Sequence, residues 1–308
     1  MDLVLARPRD DDLDELVRFY RACDEVDSSA AESDREDVAW RWRTAEFDRS
    51  TDAWVARIGD DVVAYAWVFE GLADVKVHPA VRGRGIGERL LRIIEERAAQ
   101  QGSRDGFLRQ NVTNLMPSAR ALLEANGYVY SHHYGLMAIE VDERPVPPAP
   151  PATVALHRYE LGPDDAVVHA AFNRAWSQYE GERWEPEPLE RWMDAVESED
   201  FDPAHWHLAV EDGEVIGFCL GERYGNNGWI QYLGVVPEQR GRGLGRVLLL
   251  TGFAGFHDAG VRRVELTVSS SNVPAARALY DDAGMTEVLR YENLKKPIEA
   301  VGGVVFGE

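Results

Sequence analysis

The sequence predicts a mixed α/β fold, an α+β arrangement of a mixed sheet with helices on its faces, built twice in tandem. Two copies of a glycine-rich segment, VHPAVRGRGIGERLL from Val77 and VVPEQRGRGLGRVLL from Val235, lie 158 residues apart. Apolar residues alternate or recur at helical spacing in the same order around each copy. Between the copies, the stretch 142–153 contains five prolines, which favour an extended chain. A length of 308 residues also fits two domains better than one.

The second half of the sequence predicts the element order βααβββαβαβ. Alternating apolar residues predict the strands, apolar residues at helical spacing predict the helices, and Asp212-Gly213 predicts the turn of a hairpin. In chain order the predicted elements are the strand TVALHRY, helices near 163–179 and 187–197, the hairpin strands WHLAVE and EVIGFCLGERY, the strand Trp229–Val235, the helix Leu244–Ala259, the strand RRVELTV and the helix Asn272–Ala283, which ends before Gly284.

The first half predicts the same elements in matching places, with strands in LVLARP, DAWVAR, VVAYAWVFE and ADVKVHP and a helix over Ile86–Gln101. The correspondence continues downstream, because Ala119–Leu122 matches Ala276–Leu279 and Asn126–Tyr128 matches Ala283–Met285. A match over this length predicts that whole domains were duplicated. We therefore expect a first domain at 1–143, a linker at 144–152 and a second domain at 153–308.

Composition and charge argue against several classes of function. The formal charge is −21, with 33 Lys and Arg against 54 Asp and Glu, which disfavours nucleic acids and anionic membranes as partners. Cys23 and Cys219 are the only cysteines, so the sequence predicts neither a disulfide framework nor a cysteine metal site. It contains neither a long uncharged apolar run nor a basic start followed by an apolar stretch. We expect a cytoplasmic protein with no bound metal.

Each glycine-rich segment lies between an apolar strand and a helix with an apolar face, where unpaired backbone N–H groups meet the positive end of a helix dipole. Such a place binds phosphate, the glycines let oxygens approach the backbone, and the arginines add charge that suits a diphosphate. A solvated glycine turn is the alternative for one such loop, but two loops in register favour binding. A P-loop would need Gly-Lys, and a dinucleotide fingerprint would need glycine at Leu90 and Leu248.

The loops resemble the Arg/Gln-x-x-Gly-x-Gly/Ala signature of GNAT (GCN5-related) N-acetyltransferases, with Arg82, Gly85 and Gly87 in the first half and a second match from Arg240. The resemblance implies two tandem GNAT domains, similar in arrangement to mycothiol synthase and related actinobacterial acetyltransferases. It implies acetyl-CoA as co-substrate, with the pyrophosphate on the loop amides and the pantetheine arm along the preceding strand. The implied cofactor-binding residues are Val75, Lys76, Val77, Arg82, Gly83, Arg84, Gly85, Ile86 and Gly87 in the first half, and Leu233, Gly234, Val235, Arg240, Gly241, Arg242, Gly243, Leu244, Gly245 and Asn272 in the second.

Tyr280 is the candidate for the acid of the reaction. The segment NVPAARALY, from Asn272 to Tyr280, resembles a family helix in which the tyrosine hydroxyl faces the CoA sulfur. A tyrosine near its reference pKa of about 10 is protonated at neutral pH and can donate to a leaving thiolate. The alternatives are a tyrosine packed beneath the sheet and, for Asn272, a helix N-cap. The same position in the first half is Leu123, so we expect that domain to bind acetyl-CoA without turnover or to be a structural remnant.

The sequence defines the general base less well. Some members of the family, mycothiol synthase among them, carry a glutamate on the strand before the loop, where this sequence has Trp229 and Gln231. Glu222, His207 or a chain of waters therefore remains as the candidate base.

Other residues of chemical interest have a structural interpretation first. His205 and His207 could form a metal pair, but without a third ligand nearby they favour packing positions. Cys219 favours a core position over an acyl-cysteine route. Six aromatic residues fall in the helices after each first strand and predict core positions first and acceptor contacts second: Trp40, Trp42, Trp176, Tyr179, Trp184 and Trp192.

These observations predict an N-acetyltransferase that moves acetyl from acetyl-CoA directly to an amine in the second domain, with Tyr280 as acid and Glu222 as candidate base. The acceptor is a small-molecule or peptide amine. One alternative is acetylation of a cysteinyl-amine small molecule, as the similarity to mycothiol synthase implies. Another is a non-enzymatic acyl-CoA-binding sensor or partner-binding protein. We expect a monomer whose two domains form a pseudo-dimeric pair.

Overall fold

The computed structural model describes residues 3–28, 35–44, 46–177, 186–196, 202–271 and 274–298. The chain forms two compact units, one of Met1–His133 with Tyr291–Glu308 and one of Tyr134–Arg290. Each unit contains strands of a mixed sheet with helices packed against them. The predicted mixed α/β class is therefore confirmed.

The elements of the first repeat include every predicted strand and helix. In chain order they are β1 (Leu3–Ala6), α1 (Leu13–Asp27), α2 (Arg35–Arg43), α3 (Arg49–Asp52), β2 (Ala53–Ile58), β3 (Asp61–Phe69), β4 (Leu72–Val77), α4 (Ile86–Gln101), β5 (Phe107–Thr113), α5 (Pro117–Ala125) and β6 (Val129–Glu140).

The second repeat follows the same order, except that α3 has no α-helical counterpart among the described residues. Its elements are β7 (Ala155–Arg158), α6 (Asp165–Trp176), α7 (Leu189–Val196), β8 (Trp206–Glu211), β9 (Glu214–Tyr224), β10 (Asn227–Val235), α8 (Leu244–Asp258), β11 (Arg263–Ser269), α9 (Pro274–Asp282) and β12 (Thr286–Pro297).

The sheet of the first unit has the strand order β1-β2-β3-β4-β5-β12, and that of the second unit has the order β6-β11-β10-β9-β8-β7. Pairing is parallel between β4 and β5 and between β10 and β11. Both parallel ladders are short: the first consists of Leu72 with Arg109, and the second ends at Trp229 with Glu265. Beyond these pairs the two strands separate, and we call the gap between them the wedge of each unit.

The two repeats exchange their last strands. β6, from the first repeat, belongs to the sheet of the second unit, and β12, from the second repeat, belongs to the sheet of the first unit. β6 pairs antiparallel with β11 over Tyr134–Glu140, and β12 pairs antiparallel with β5 over Tyr291–Pro297. Without these partners, β5 and β11 would each expose a row of backbone N–H and C=O groups. The compact units therefore do not coincide with the repeats at 1–143 and 153–308, because the end of each repeat belongs to the unit formed mainly by the other. The stretch 144–152 lies between β6 and β7.

This exchange predicts which fragments of the chain keep a complete sheet. A fragment of residues 134–290 keeps the β6 residues that pair with β11, and a fragment of 153–308 lacks them. We expect 134–290 to unfold cooperatively in urea and 153–308 to have a lower midpoint, because the β11 edge loses its partner. Circular dichroism during urea titration measures both midpoints. Equal midpoints would contradict a stabilising role for the exchanged strand.

Helix α8 packs closely on the sheet of the second unit because glycines face large side chains across this interface. A Cβ at Gly228 would lie 2.7 Å from the ring of Phe256, and a Cβ at Gly255 would lie 2.7 Å from Nε2 of His207. His207 is 5% exposed, and its Nε2 has no hydrogen-bond partner among the described residues. Burial lowers the pKa of His207 from 6.5 to about 4. The folded second unit therefore holds a neutral imidazole beneath α8.

The buried His207 predicts a loss of stability in acid. Its contribution is complete above about pH 6.5 and is lost as the pH falls to about 4, because only the unfolded chain takes up the proton in this range. The effect is on the order of 3 kcal/mol, since one pKa unit corresponds to about 1.4 kcal/mol. We expect His207→Leu to flatten the decline in unfolding free energy between pH 6.5 and 4, measured by urea unfolding. The same comparison at pH 8 gives the packing cost of the substitution. An unchanged slope would contradict this role.

Candidate functional site

The glycine loops place the first turn of α4 and of α8 in front of open space. Gly85 and Gly243 are the N-cap residues of these helices, with φ of 78° and 80°. Gly83 and Gly241 also have positive φ, of 76° and 78°. A Cβ at any of these four positions would meet no atom within 4 Å. The backbone N–H groups of both helix starts are therefore accessible to an anion.

The third glycine of each loop serves helix packing. A Cβ at Gly87 would lie 3.4 Å from Cδ2 of Leu122 in α5, and one at Gly245 would lie 3.2 Å from Cδ2 of Leu279 in α9. The two contacts are equivalent in the two repeats. They fix α5 and α9 in the same register against the loops.

The first arginine of each loop braces the loop against its own unit. Nε of Arg82 donates to the carbonyl of Val77 at 2.9 Å, and Nε of Arg240 donates to the carbonyl of Val235 at 3.0 Å. The remaining guanidinium nitrogens differ between the units. Those of Arg82 donate to both carboxylate oxygens of Asp27, at 2.8 and 2.7 Å, while Arg240 donates to a backbone carbonyl of α6.

The second arginine differs more strongly between the loops. Arg242 donates to both carboxylate oxygens of Glu211 at 2.7 and 2.8 Å, and this pairing lowers the pKa of Glu211 to about 2. Arg84 is exposed and has no ion-pair or hydrogen-bond partner among the described residues. Three of the four loop arginines thus engage protein atoms. Contact with a diphosphate would come mainly from backbone amides, with Arg84 available in the first unit.

Strand β10 turns its last residues toward the wedge of the second unit. The N–H of Val236 donates to Ile216 of β9, so the carbonyl of Val235 points the other way, to the side of β11. The pairing of β10 with β9 shifts register between Ile230 and Tyr232, which makes Gln231 a bulge. The pairing of β4 with β3 has no such shift. The backbone of 233–235 therefore lines a gap between diverging strands.

Tyr280 in α9 is 8% exposed, and its hydroxyl has no hydrogen-bond partner among the described residues. Burial and the nearby thiol of Cys219 raise the pKa of Tyr280 to about 12. Cys219 is itself the cross-strand neighbour of Leu233. The tyrosine therefore lies beside the β10 segment that lines the wedge, and it is protonated at neutral pH.

Leu123 occupies the place of Tyr280 in the first unit. The carbonyl of Leu123 accepts a hydrogen bond from the N–H of Tyr128 at 3.1 Å, and the carbonyl of Tyr280 accepts one from Met285 at 3.0 Å. The side chain of Leu123 is 4% exposed. The first unit thus has an apolar group where the second has a hydroxyl.

Glu222 lies directly across from Trp229 in the pairing of β9 with β10. Gly228 and Ile230 contact α8, so Trp229 between them points to the opposite face, which α6 covers, and Glu222 shares that face. The indole N–H of Trp229 donates to Oε1 of Gln231 at 2.7 Å. His207, in contrast, lies on the α8 face, so the two candidate bases are on opposite faces of the sheet.

The face that α6 covers is rich in aromatic side chains. Trp176 stacks on Phe172, with 4.9 Å between ring centroids, and lies 5.8 Å from the ring of Phe218. Tyr232 of β10 packs edge-on against both α6 rings. A Cβ at Gly234 would lie 2.7 Å from Trp176. Trp176 is therefore half-buried against the core, next to the last residues of β10, whereas Trp40 is exposed and its predicted core position is wrong.

Several predicted residues lie outside the described part of the chain, namely Asn272, Tyr179 and Trp184. No group of three or more His, Cys, Asp or Glu side chains within the described ranges could hold a metal ion. Among the same residues, no helix is both long and apolar enough to cross a membrane.

The contacts of the end of α1 were not predicted from the sequence. Its segment FYRAC, from Phe19, matches FNRAW, from Phe172 in α6, and this second repeat could have revealed them. In the folded first unit, residues of this segment and the turn after it contact the glycine loop.

The chain matches two family models in the positions of the two repeats. The model described as "Acetyltransferase (GNAT) family" matches residues 168–285, and that described as "Acetyltransferase (GNAT) domain" matches residues 49–130. Among known proteins, the mycothiol acetyltransferase of Thermomonospora curvata is 35% identical over 217 residues, covering 69% of each chain. That of Amycolatopsis mediterranei is 31% identical over 256 residues, covering 75% of this chain and 80% of that protein.

Solved structures show the same arrangement. A GCN5-related N-acetyltransferase from Sphaerobacter thermophilus has a TM-score of 0.77 and 29% identity, covering 96% of this chain and 95% of the other. A tandem GNAT protein from the clavulanic acid biosynthesis pathway has a TM-score of 0.69 and 21% identity, covering 96% and 98%. The second likeness concerns the fold alone.

Proposed function

Since the chain belongs to the GNAT acetyltransferase family and is an acyltransferase with two such domains in tandem, we propose that its second unit moves acetyl from acetyl-CoA to an amine. The observation that carries this proposal is the asymmetry between the repeats. Both repeats have the glycine loop, but the hydroxyl of Tyr280 has only Leu123 as its counterpart. One unit therefore has an acid beside the wedge and the other does not.

The second unit fits the co-substrate in two respects. The space in front of Gly241 and Gly243 would be filled by side chains at those positions, and the backbone amides at 241–245 can hold a pyrophosphate there. The backbone of 233–235 lines the wedge, where a pantetheine arm could pair with its groups, and the carbonyl of Val235 already accepts one hydrogen bond from Nε of Arg240. GNAT acetyltransferases use acetyl-CoA generally, which agrees with both features.

The proposed reaction consists of the addition of the amine to the thioester, the collapse of the adduct and three proton transfers. The neutral amine attacks the thioester carbonyl carbon, and a C–N bond forms as the carbonyl becomes a tetrahedral oxyanion. Collapse of this adduct breaks the C–S bond, and Tyr280 donates its proton to the departing thiolate. The ammonium proton of the adduct passes to a base, and Tyr280 regains a proton from solvent.

We assign the base to Glu222, directly or through a water. It shares the α6 face of the sheet with Trp229, next to the bulge that widens the wedge. His207 is a poorer candidate because it is 5% exposed and packs against α8. The role of Glu222 is to accept a proton from an amine that arrives near the bulge of β10.

The first prediction from this mechanism concerns Tyr280. We expect Tyr280→Phe to lower kcat about 100-fold or more, because a general acid contributes a factor of this size. The KM for acetyl-CoA should change little, since the hydroxyl acts as the thiolate develops. Release of free CoA thiol in the presence of an amine measures both constants.

Tyr128→Phe in the first unit is the matched control, since Tyr128 is also a buried tyrosine, with a hydroxyl bonded to Gln110. Its turnover should stay at the wild-type value. Full turnover by Tyr280→Phe at every pH would contradict the assignment of the acid.

The second prediction assigns turnover to one unit with a matched pair of variants. Gly243→Val and Gly85→Val each put a β-branched residue at a left-handed N-cap with open space around Cβ. The two should lower the Tm by similar amounts. We expect Gly243→Val to reduce kcat/KM for acetyl-CoA more than about tenfold, because it narrows the phosphate cradle, and Gly85→Val to retain it. The opposite ranking would assign turnover to the first unit.

A second candidate acceptor is a cysteinyl-amine small molecule, because the relatives of Thermomonospora curvata and Amycolatopsis mediterranei are mycothiol acetyltransferases. The resemblance implies a glutamate on this strand in mycothiol synthase, and the presence of Trp229 and Gln231 there argues for a different acceptor. Thiol release over a panel of amines, with a cysteinyl-amine small molecule beside aliphatic and aromatic amines, separates the two. A preference for the cysteinyl-amine of about tenfold or more would favour the second candidate.

A further inference from the structure

The wedge of the first unit is bounded by the end of β4 and the end of β5. The N–H of His78 donates to Val63 of β3 at 2.8 Å, so the carbonyl of Val77 points to the other side, toward β5. The pairing of Leu72 with Arg109 places Thr113, the last residue of β5, beside the end of β4. Val77 and Thr113 therefore lie on opposite walls of this wedge.

The C-terminal end of α1 spans the two walls. The carboxylate of Asp27 accepts two hydrogen bonds from Arg82 of the glycine loop, at 2.8 and 2.7 Å, and its backbone carbonyl accepts one from the hydroxyl of Thr113. Asp27 is 2% exposed. One residue thus joins the loop that follows β4 to the end of β5.

Two further contacts hold this end of α1 against β4. Sγ of Cys23 lies 3.8 Å from the carbonyl oxygen of Val77, the backbone group that faces the wedge. Nζ of Lys76 donates to the carboxylate of Asp24 at 3.1 Å. The carbonyl of Val77, which also accepts a hydrogen bond from Nε of Arg82, therefore contacts α1, and the neighbouring side chain of β4 is paired with α1.

We propose that the first unit is a second acyl-CoA site that α1 holds closed, with Asp27 competing with the pantetheine arm for the wedge. An arm running along Val75–Val77 has to displace the end of α1, and a pyrophosphate on the loop competes with the carboxylate of Asp27 for Arg82. Acetyl-CoA thus binds the first unit more weakly than its loop alone would allow. The proposal rests on the cofactor-binding mode proposed above and not on which unit catalyses turnover.

The test measures acetyl-CoA binding to the first unit in the full chain by titration calorimetry. Gly243→Val provides the background, because it weakens the second site, and Asp27→Asn is added to it. Loss of the charged partner of Arg82 should tighten binding by on the order of tenfold or more. Unchanged or weaker binding, with the Tm showing a folded protein, overturns the proposal.

Asp52→Asn is the matched control, because Asp52 is also 2% exposed and accepts a hydrogen bond from an arginine of the same unit, Arg97, at 2.8 Å. It should leave the affinity unchanged, and equal tightening in this variant overturns the proposal. If Asp27→Asn does not fold, Thr113→Val decides, since it removes the contact on the β5 wall. It should tighten binding as well, and no change overturns the proposal.

The outcomes also separate this proposal from the function proposed above. If Gly243→Val lowers kcat/KM for acetyl-CoA more than about tenfold and neither Asp27→Asn nor Thr113→Val tightens binding, only the closed first site is contradicted. If the wild-type chain binds no acetyl-CoA in either unit, the proposed binding of acetyl-CoA by the glycine loop and the wedge is contradicted. Turnover by the wild-type second unit with a first-unit affinity that rises in Asp27→Asn supports both.

Discussion

The separation of β10 from β11 beyond Trp229 is the constraint on which the rest of the second unit depends. A parallel pair that stops hydrogen bonding leaves backbone groups at 233–235 in need of partners. The bulge at Gln231 directs the strand away from its neighbour, and the glycine loop at its end starts α8 in front of open space. Because α9 packs against that loop through Leu279, the next residue, Tyr280, comes to lie beside the same strand.

The first unit has the same separation of strands, but other residues lie at its wedge. Its wedge is spanned by Asp27, and the helix position next to it carries Leu123. Under the proposed mechanism both differences disfavour turnover in the first unit, since it lacks the proposed proton donor and the end of its α1 spans the wedge. The duplicated loop is therefore a poor guide to activity by itself. What distinguishes the copies is a tyrosine in one and the end of α1 in the other.

Local patterns in the sequence predicted most elements, because the glycine loops, the hairpin at Asp212-Gly213 and the helix of Tyr280 depend on neighbours along the chain. The exchange of β6 and β12 was not predictable in this way, since the edge a strand completes is decided by tertiary contacts. The partners of Arg82 and Arg242 were missed for the same reason. Their carboxylates, on Asp27 and Glu211, lie 55 and 31 residues away.

Hydrogen exchange of the full chain with and without acetyl-CoA tests the central claim most directly, because it reads the backbone of both wedges in one experiment. The amides at 233–235 and 241–245 should gain protection at acetyl-CoA concentrations that leave those at 75–77 unchanged. Protection of 75–77 at equal or lower concentration, or no protection in the second unit during turnover, would contradict the account.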